Sequence, residues 1–177
     1  MTYKPEEITN YNFISSDDLL LDANIWLFVF GPQKPGDRRS VVYSEAFNKI
    51  LVAKSRIFID VLIVSEFINT YARLKWGFLS SSENFKQFRK SADFKPVAQD
   101  IAADVRRVLR HCTRVEDGFQ SLALDTLIDE YAAGDSDFND QILTILCKTK
   151  GLKLVTDDGD FNSREIPVVT ANRRLLS

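Results

Sequence analysis

An apolar run, Leu19-Leu20-Leu21, leads directly into Asp22 and resumes behind it through Ala23, Asn24, Ile25, Trp26 and Leu27. A run without polar alternation reads as a central strand buried on both faces, the kind found in parallel sheets covered by helices on each side. Parallel sheets place their ligand sites just beyond the carboxyl ends of the strands. A carboxylate at that end of a central strand therefore marks where chemistry is expected. Three further acidic points read as its partners: Glu66, Asp140, and the cluster Asp157-Asp158-Gly159-Asp160.

Taken in order, the chain alternates strand and helix patterns. Residues 1–17 are polar, carry Pro5 and read as an irregular lead-in, and residues 18–30 as the first strand with the turn after it. Val41, Val42, Phe47, Ile50 and Leu51 share one face of a helix through the forties. Arg56–Ile59 reads as a second strand. Asp60 can cap a following helix that carries Ile63, Val64, Phe67, Ile68, Tyr71 and Leu74, and Ser80-Ser81-Ser82 breaks that pattern. Pro96 suits a first helical position, with Val97, Ile101, Val105, Val108, Leu109 and Cys112 as the apolar stripe behind it. A further helix is expected over Ser121–Ala132, ended by Gly134. Ser136 or Asp137 can cap the next, which Gly151 stops. Leu152–Thr156 and Pro167–Val169 read as strands. The pattern predicts a single α/β domain over residues 1–177, an α/β sandwich with a mostly parallel central sheet.

Composition narrows the chemistry. With one histidine, His111, a Ser-His-Asp or Cys-His enzyme and a His-ligated zinc site are both disfavoured. Cys112 and Cys147 have neither metal nor redox spacing. The formal net charge of −2 gives no global basic field for nucleic acid, so any such contact must be local. Arg106, Arg107, Arg110 and Arg114 could form such a ridge, although charges at helical spacing are more often a solvated face. The N-terminal residues contain no apolar signal core, and no apolar run is long enough to span a membrane. A cytoplasmic protein is the expectation.

What remains is oxygen chemistry. Asp22 ends a strand, Glu66 lies in the first two turns of a helix, Asp140 in the first turn of another, and Asp158 follows the strand ending at Thr156. All four belong to the edge of the sheet where strands end and helices begin. Carboxylates gathered there repel one another, about 1 kcal/mol for a pair at ~4 Å in water and ~4 at intermediate dielectric. An all-oxygen set without His or Cys suits a hard divalent cation, Mg²⁺ or Mn²⁺, and such sites usually perform phosphoryl chemistry.

Four segments together resemble the PIN domain family: Leu-Leu-Asp22-Ala-Asn24-Ile, Val-Ser65-Glu66-Phe, Phe-Asn139-Asp140-Gln-Ile-Leu, and Leu-Val-Thr156-Asp157-Asp158-Gly-Asp160-Phe161. The family includes the VapC-type toxins of toxin–antitoxin pairs. The segments occur in the family's order and span residues 19–161. The resemblance implies an α/β/α sandwich and a metal-dependent endoribonuclease acting on RNA phosphodiesters. Carried over position by position, it makes Asp22, Glu66, Asp140 and Asp158 the catalytic, metal-binding acids and Asp160 an accessory metal acid. Asn24 and Thr156 become polar neighbours that orient the site. It also implies a homodimer and admits an antitoxin as partner.

Each acid taken alone has a plainer role. Asp22 could make an Asx-turn, Glu66 could be a solvated helix residue, Asp140 could complement a helix dipole, and residues 157–160 could form an acidic turn with Gly159 at positive φ. Three other functions use similar features. A PIN fold can grip RNA or protein without cutting, which the presence of all four acids disfavours. An aspartyl-nucleophile phosphatase needs a second Asp two residues after the first, where this chain has Asn24. A flap-endonuclease-like DNA nuclease has a similar core site with more acids.

Overall fold

In the computed structural model, described over residues 3–34, 36–79, 84–116, 118–134, 137–161 and 165–177, the Leu19–Leu21 run lies at the centre of one sheet. The lead-in is not wholly irregular: it contributes a two-residue strand β1 (Glu6–Glu7). The central strand is β2 (Asp18–Leu21), followed without a loop by helix α1 (Ala23–Phe30). The strand is therefore shorter than its apolar run, and Ile25, Trp26 and Leu27 are helical. Asp22 is the switch: its backbone is extended and its side chain accepts from the Ala23 N–H, capping the helix. The run stays apolar past this point because α1 packs against other helices and buries Ala23, Ile25, Trp26 and Leu27. A helix buried on every side is apolar all round and loses the periodicity that would distinguish it from a strand.

Helix α2 (Arg38–Ala53), strand β3 (Arg56–Ile59) and helix α3 (Val61–Phe78) follow. Asp60 caps α3 by accepting from the Leu62 N–H at 2.7 Å. Ser80-Ser81-Ser82 lie outside the described residues, as does Ser136. A single turn α4 (Phe85–Phe88) precedes helix α5 (Phe94–Arg110). Pro96 is the third residue of α5 and not the first, which is tolerated because first-turn N–H groups have no intrahelical acceptor to lose. Cys112 lies past the helix end, and strand β4 (Thr113–Arg114) begins just beyond it.

Residues 119–121 form a 3-10 turn, so helix α6 (Leu124–Ala133) starts later than Ser121. Gly134 ends it at φ 80°, a left-handed position that favours glycine. Helix α7 (Phe138–Lys150) is capped by Asp137. Strand β5 (Lys153–Val155), strand β6 (Val168–Thr170) and a last turn α8 (Arg173–Leu176) complete the chain.

The strand order is β1-β6-β5-β2-β3-β4 and every pairing is parallel. Leu19, Leu20 and Leu21 are each 0% exposed. Successive strand residues point to opposite faces, so both faces of the sheet are covered and the α/β/α sandwich follows. Leu154, Val155, Val168 and Val169 repeat the pattern on β5 and β6. Around α1, the helices α2, α3 and α5 pack together, and α6 packs on α7. Trp26 is fully buried against Phe30 and Phe47, and Trp76 packs on Phe85. Among the described residues no helix is long and apolar enough to cross a membrane.

Candidate active site

The carboxyl ends of β2 and β5 are adjacent, because Leu21 pairs with Val155. One residue further on, the Asp22 N–H donates to the Val155 carbonyl at 3.0 Å. This register sets the Asp22 carboxylate beside Thr156. Asp22 is buried, and its two oxygens accept from three donors: Oδ1 from the Ala23 N–H at 2.6 Å, and Oδ2 from the Asn24 amide at 2.6 Å and the Thr156 hydroxyl at 2.7 Å. Burial pushes the Asp22 carboxyl above its ordinary pKa and the nearby Asp158 adds to the rise, whereas the three donors act in the opposite sense. Asn24 also closes the gap between the loops, with its amide near the Thr156 hydroxyl at 3.3 Å and its carbonyl accepting from the Asp157 N–H at 3.2 Å. The two polar neighbours thus touch Asp22 directly.

Three more acids act on this point from separate elements. Glu66 is the sixth residue of α3 and Asp140 the third of α7. Desolvation and then repulsion from Asp22, Asp158 and Asp137 raise the Glu66 carboxyl to about 7. Desolvation and then repulsion from Asp158, Asp137, Asp22 and Glu66 likewise raise Asp140 to about 7. Glu66 is exposed as a residue and Asp140 half-buried, so water screens part of this repulsion. Both remain raised because desolvation comes first and the charges that act on them are all negative.

Asp137 was not singled out as a site residue. Its Oδ1 accepts from the Asn139 N–H at 2.8 Å as the cap of α7, which accounts for it structurally. Yet it repels both Glu66 and Asp140. The available signal was its position three residues before Asp140, one helical turn away on the same side.

The three acids after β5 separate. Asp157 points away from Asp22: its Oδ1 accepts from the Tyr43 hydroxyl at 2.7 Å and its Oδ2 lies 3.5 Å from the Arg39 guanidinium, both on α2. Asp158 lies near enough to Asp22 for its charge to raise the Asp22 carboxyl, and its N–H donates to the Thr156 hydroxyl at 3.0 Å. Asp160 is exposed, donates its N–H to Asp158 Oδ1 at 2.9 Å, and is not among the largest charges acting on Asp22, Glu66 or Asp140. Gly159 does not sit at positive φ. Its constraint is spatial, since a Cβ there would lie 3.3 Å from the Asn172 amide nitrogen and 3.4 Å from an Arg174 guanidinium nitrogen.

The donor chemistry fits a hard divalent cation: oxygen only, negative, and mutually destabilised without a counter-charge. Among the described residues, however, no three His, Cys, Asp or Glu side chains stand close enough to form a ready cage. Mg²⁺ does not require one, because it keeps several waters and commonly binds through one or two carboxylates plus substrate phosphates. Asp22 with Asp158, and Glu66 or Asp140 across from them, are the residues that would hold it.

The chain is an all-parallel α/β/α sandwich with Asp22 after β2, Glu66 on α3, Asp140 on α7 and Asp158 after β5 at the carboxyl edge of its sheet. Residues 19–167 match the PIN domain family, and the chain belongs to it. PIN domains are generally nucleases. No curated protein matches the chain. The fold is similar to that of VapBC2 from Rickettsia felis, solved bound to a DNA fragment from their promoter, with 11% identity, a TM-score of 0.53, and 86% of this chain and 98% of that one covered. It is also similar to PAE2754 from Pyrobaculum aerophilum, with 16% identity, a TM-score of 0.50, and 97% and 94% covered.

Proposed function

We propose that this PIN domain is a Mg²⁺- or Mn²⁺-dependent endoribonuclease in which Asp22, Glu66, Asp140 and Asp158 form the catalytic acid set. The observation that carries this reading is the buried Asp22 carboxylate held by Thr156, Asn24 and Ala23 at the joined ends of β2 and β5, near which desolvation and then neighbouring acids raise Glu66 and Asp140 to about 7. Unbalanced negative charge destabilises a folded chain, and a site of this kind is retained when a cation or a reaction needs it. A divalent cation bound there would polarise a phosphodiester, acidify an attacking water and stabilise the leaving oxygen.

The chain's own residues supply the rest. The Thr156 hydroxyl, the Asn24 amide and the Ala23 N–H hold the Asp22 carboxylate in one orientation and favour its charged form. Asp158 is fixed by the same hydroxyl through its N–H. Glu66 and Asp140, raised to about 7, are tuned to exchange a proton near neutrality. No covalent intermediate on the protein is required for in-line attack by water.

The R. felis neighbour is a VapBC assembly. By analogy, we propose that this chain forms a homodimer and pairs with an inhibiting antitoxin, which would most simply offer an arginine to the carboxylates. Copurification with the product of an adjacent reading frame tests that pairing. Activity is tested on mixed single-stranded RNA and DNA in Mg²⁺, Mn²⁺ or EDTA. The proposal expects RNA cleavage with either metal and none in EDTA. Cleavage of DNA alone would replace the substrate, and cleavage unaffected by EDTA would overturn the metal site.

A further inference from the structure

The acid loop has a cation against it that the site's internal bonding does not use. Asn172 precedes helix α8 and caps it by accepting from the Arg174 N–H at 3.0 Å. The Asn172 amide also donates to the Asp157 carbonyl at 2.6 Å, tying this last turn to the loop after β5. Leu175 is buried and anchors the turn from below. The result is a fixed placement of Arg174 over Gly159, with a guanidinium nitrogen and Cδ 3.4 and 3.5 Å from where a Cβ would be. Gly159 lies between Asp158 and Asp160, so the guanidinium rests against the loop backbone between two acids.

Arg174 itself is exposed and forms no ion pair among the described residues. Arg39, also near this loop, differs: it lies 3.5 Å from both Asp37 and Asp157 and stacks over Phe28 at 5.1 Å. One guanidinium is thus taken up in internal contacts, and the other is presented to solvent beside acids that a polyanionic substrate must approach. A strand bringing its phosphodiester to Asp22 and Asp158 meets like charge, and a nearby unpaired guanidinium offsets it by bidentate contact with a phosphate oxygen pair. Such contacts position the strand without reading its bases.

We propose that Arg174 is a substrate-positioning residue that grips a backbone phosphate of the RNA strand next to the one being cut. The proposal rests on the ribonuclease reading above. It is tested by steady-state cleavage of a mixed-sequence single-stranded RNA in Mn²⁺ over a series of KCl concentrations, comparing wild type, Arg174→Gln, Arg174→Lys and Arg56→Gln. Arg56 begins β3 at the amino ends of the strands, where it pairs with Asp18, and controls for loss of a positive charge away from the site. Arg174→Gln is expected to raise KM about tenfold with kcat within about twofold, and to lower the slope of log(kcat/KM) against log salt by about 1. Arg174→Lys should restore the slope, and Arg56→Gln should leave both unchanged. An unchanged KM and slope in Arg174→Gln, or a loss in kcat alone, overturns the phosphate contact while cleavage by wild type leaves the ribonuclease reading standing. Absence of cleavage by wild type overturns the reading and this proposal together.

Discussion

The Thr156 hydroxyl donates to Oδ2 of Asp22 at 2.7 Å, joining residues 134 positions apart in sequence. That bond links the ends of β2 and β5 and is one of three that favour the charged form of a buried carboxylate. Thr156→Val keeps the shape and removes the donor. Hydrogen bonds to charged groups contribute about 1.5–3 kcal/mol, so a loss of about 2 kcal/mol in urea unfolding at pH 8 is expected. Removing a donor raises the folded-state pKa of Asp22 further; since both proteins share one unfolded state, the part of the loss due to this bond is full above that raised pKa and fades as pH falls through it. A loss independent of pH would show that the hydroxyl acts elsewhere.

Asp140→Asn removes repulsion at nearly constant shape. In EDTA the wild-type carboxyl is raised from 3.8 to about 7, so between those values the folded chain holds a proton that the unfolded chain releases. Stability from this group therefore falls as pH rises through the window, and the full penalty stands above 7. The variant should melt like wild type at pH 4 and gain about 1 kcal/mol at pH 8, a figure already reduced for solvent screening of a half-exposed group. Cleavage should be lost at both pH values. A stability gain equal at pH 4 and pH 8 would contradict the repulsion.

The three acids after β5 should separate by function. Asp158→Ala is expected to lower cleavage by at least about 100-fold, Asp160→Ala less, and Asp157→Ala least. Asp157→Ala should instead destabilise the fold by about 1–2 kcal/mol, because Tyr43 loses an acceptor in a half-buried place. Tyr43→Phe should reproduce that loss of stability. Chemical denaturation and initial rates on the same proteins check both halves. A larger activity loss at Asp157 than at Asp158 would reverse the assignment of the two side chains.

The strands β2, β3 and β5 and the caps at Asp60 and Gly134 were legible because each combines an apolar pattern with a local backbone requirement. The candidate acids stand out by spacing, since each follows a strand or lies in the first two turns of a helix. The boundary inside residues 19–27 was not, because an all-round buried helix and a buried strand carry the same apolar run. The two-residue strands β1 and β4 have no period to detect, and their pairing depends on neighbours far along the chain. Of the two caps the sequence allows for α7, Ser136 or Asp137, the helix uses Asp137, and its repulsion of Glu66 and Asp140 depends on how α3 and α7 come together. Arg174 carries no pattern at all, since its placement comes from Asn172 bonding to the Asp157 carbonyl.

The most direct measurement is the melting temperature of wild type in EDTA and across a Mn²⁺ titration, with Asp140→Asn in parallel. A cation bound only by the folded state stabilises it by about 2.7 kcal/mol at a hundred times its dissociation constant. Wild type should therefore melt progressively higher as Mn²⁺ rises, and Asp140→Asn should start higher in EDTA at pH 8 and respond much less. A wild-type melting temperature that stays constant from EDTA to saturating Mn²⁺ would contradict a metal site built from these acids.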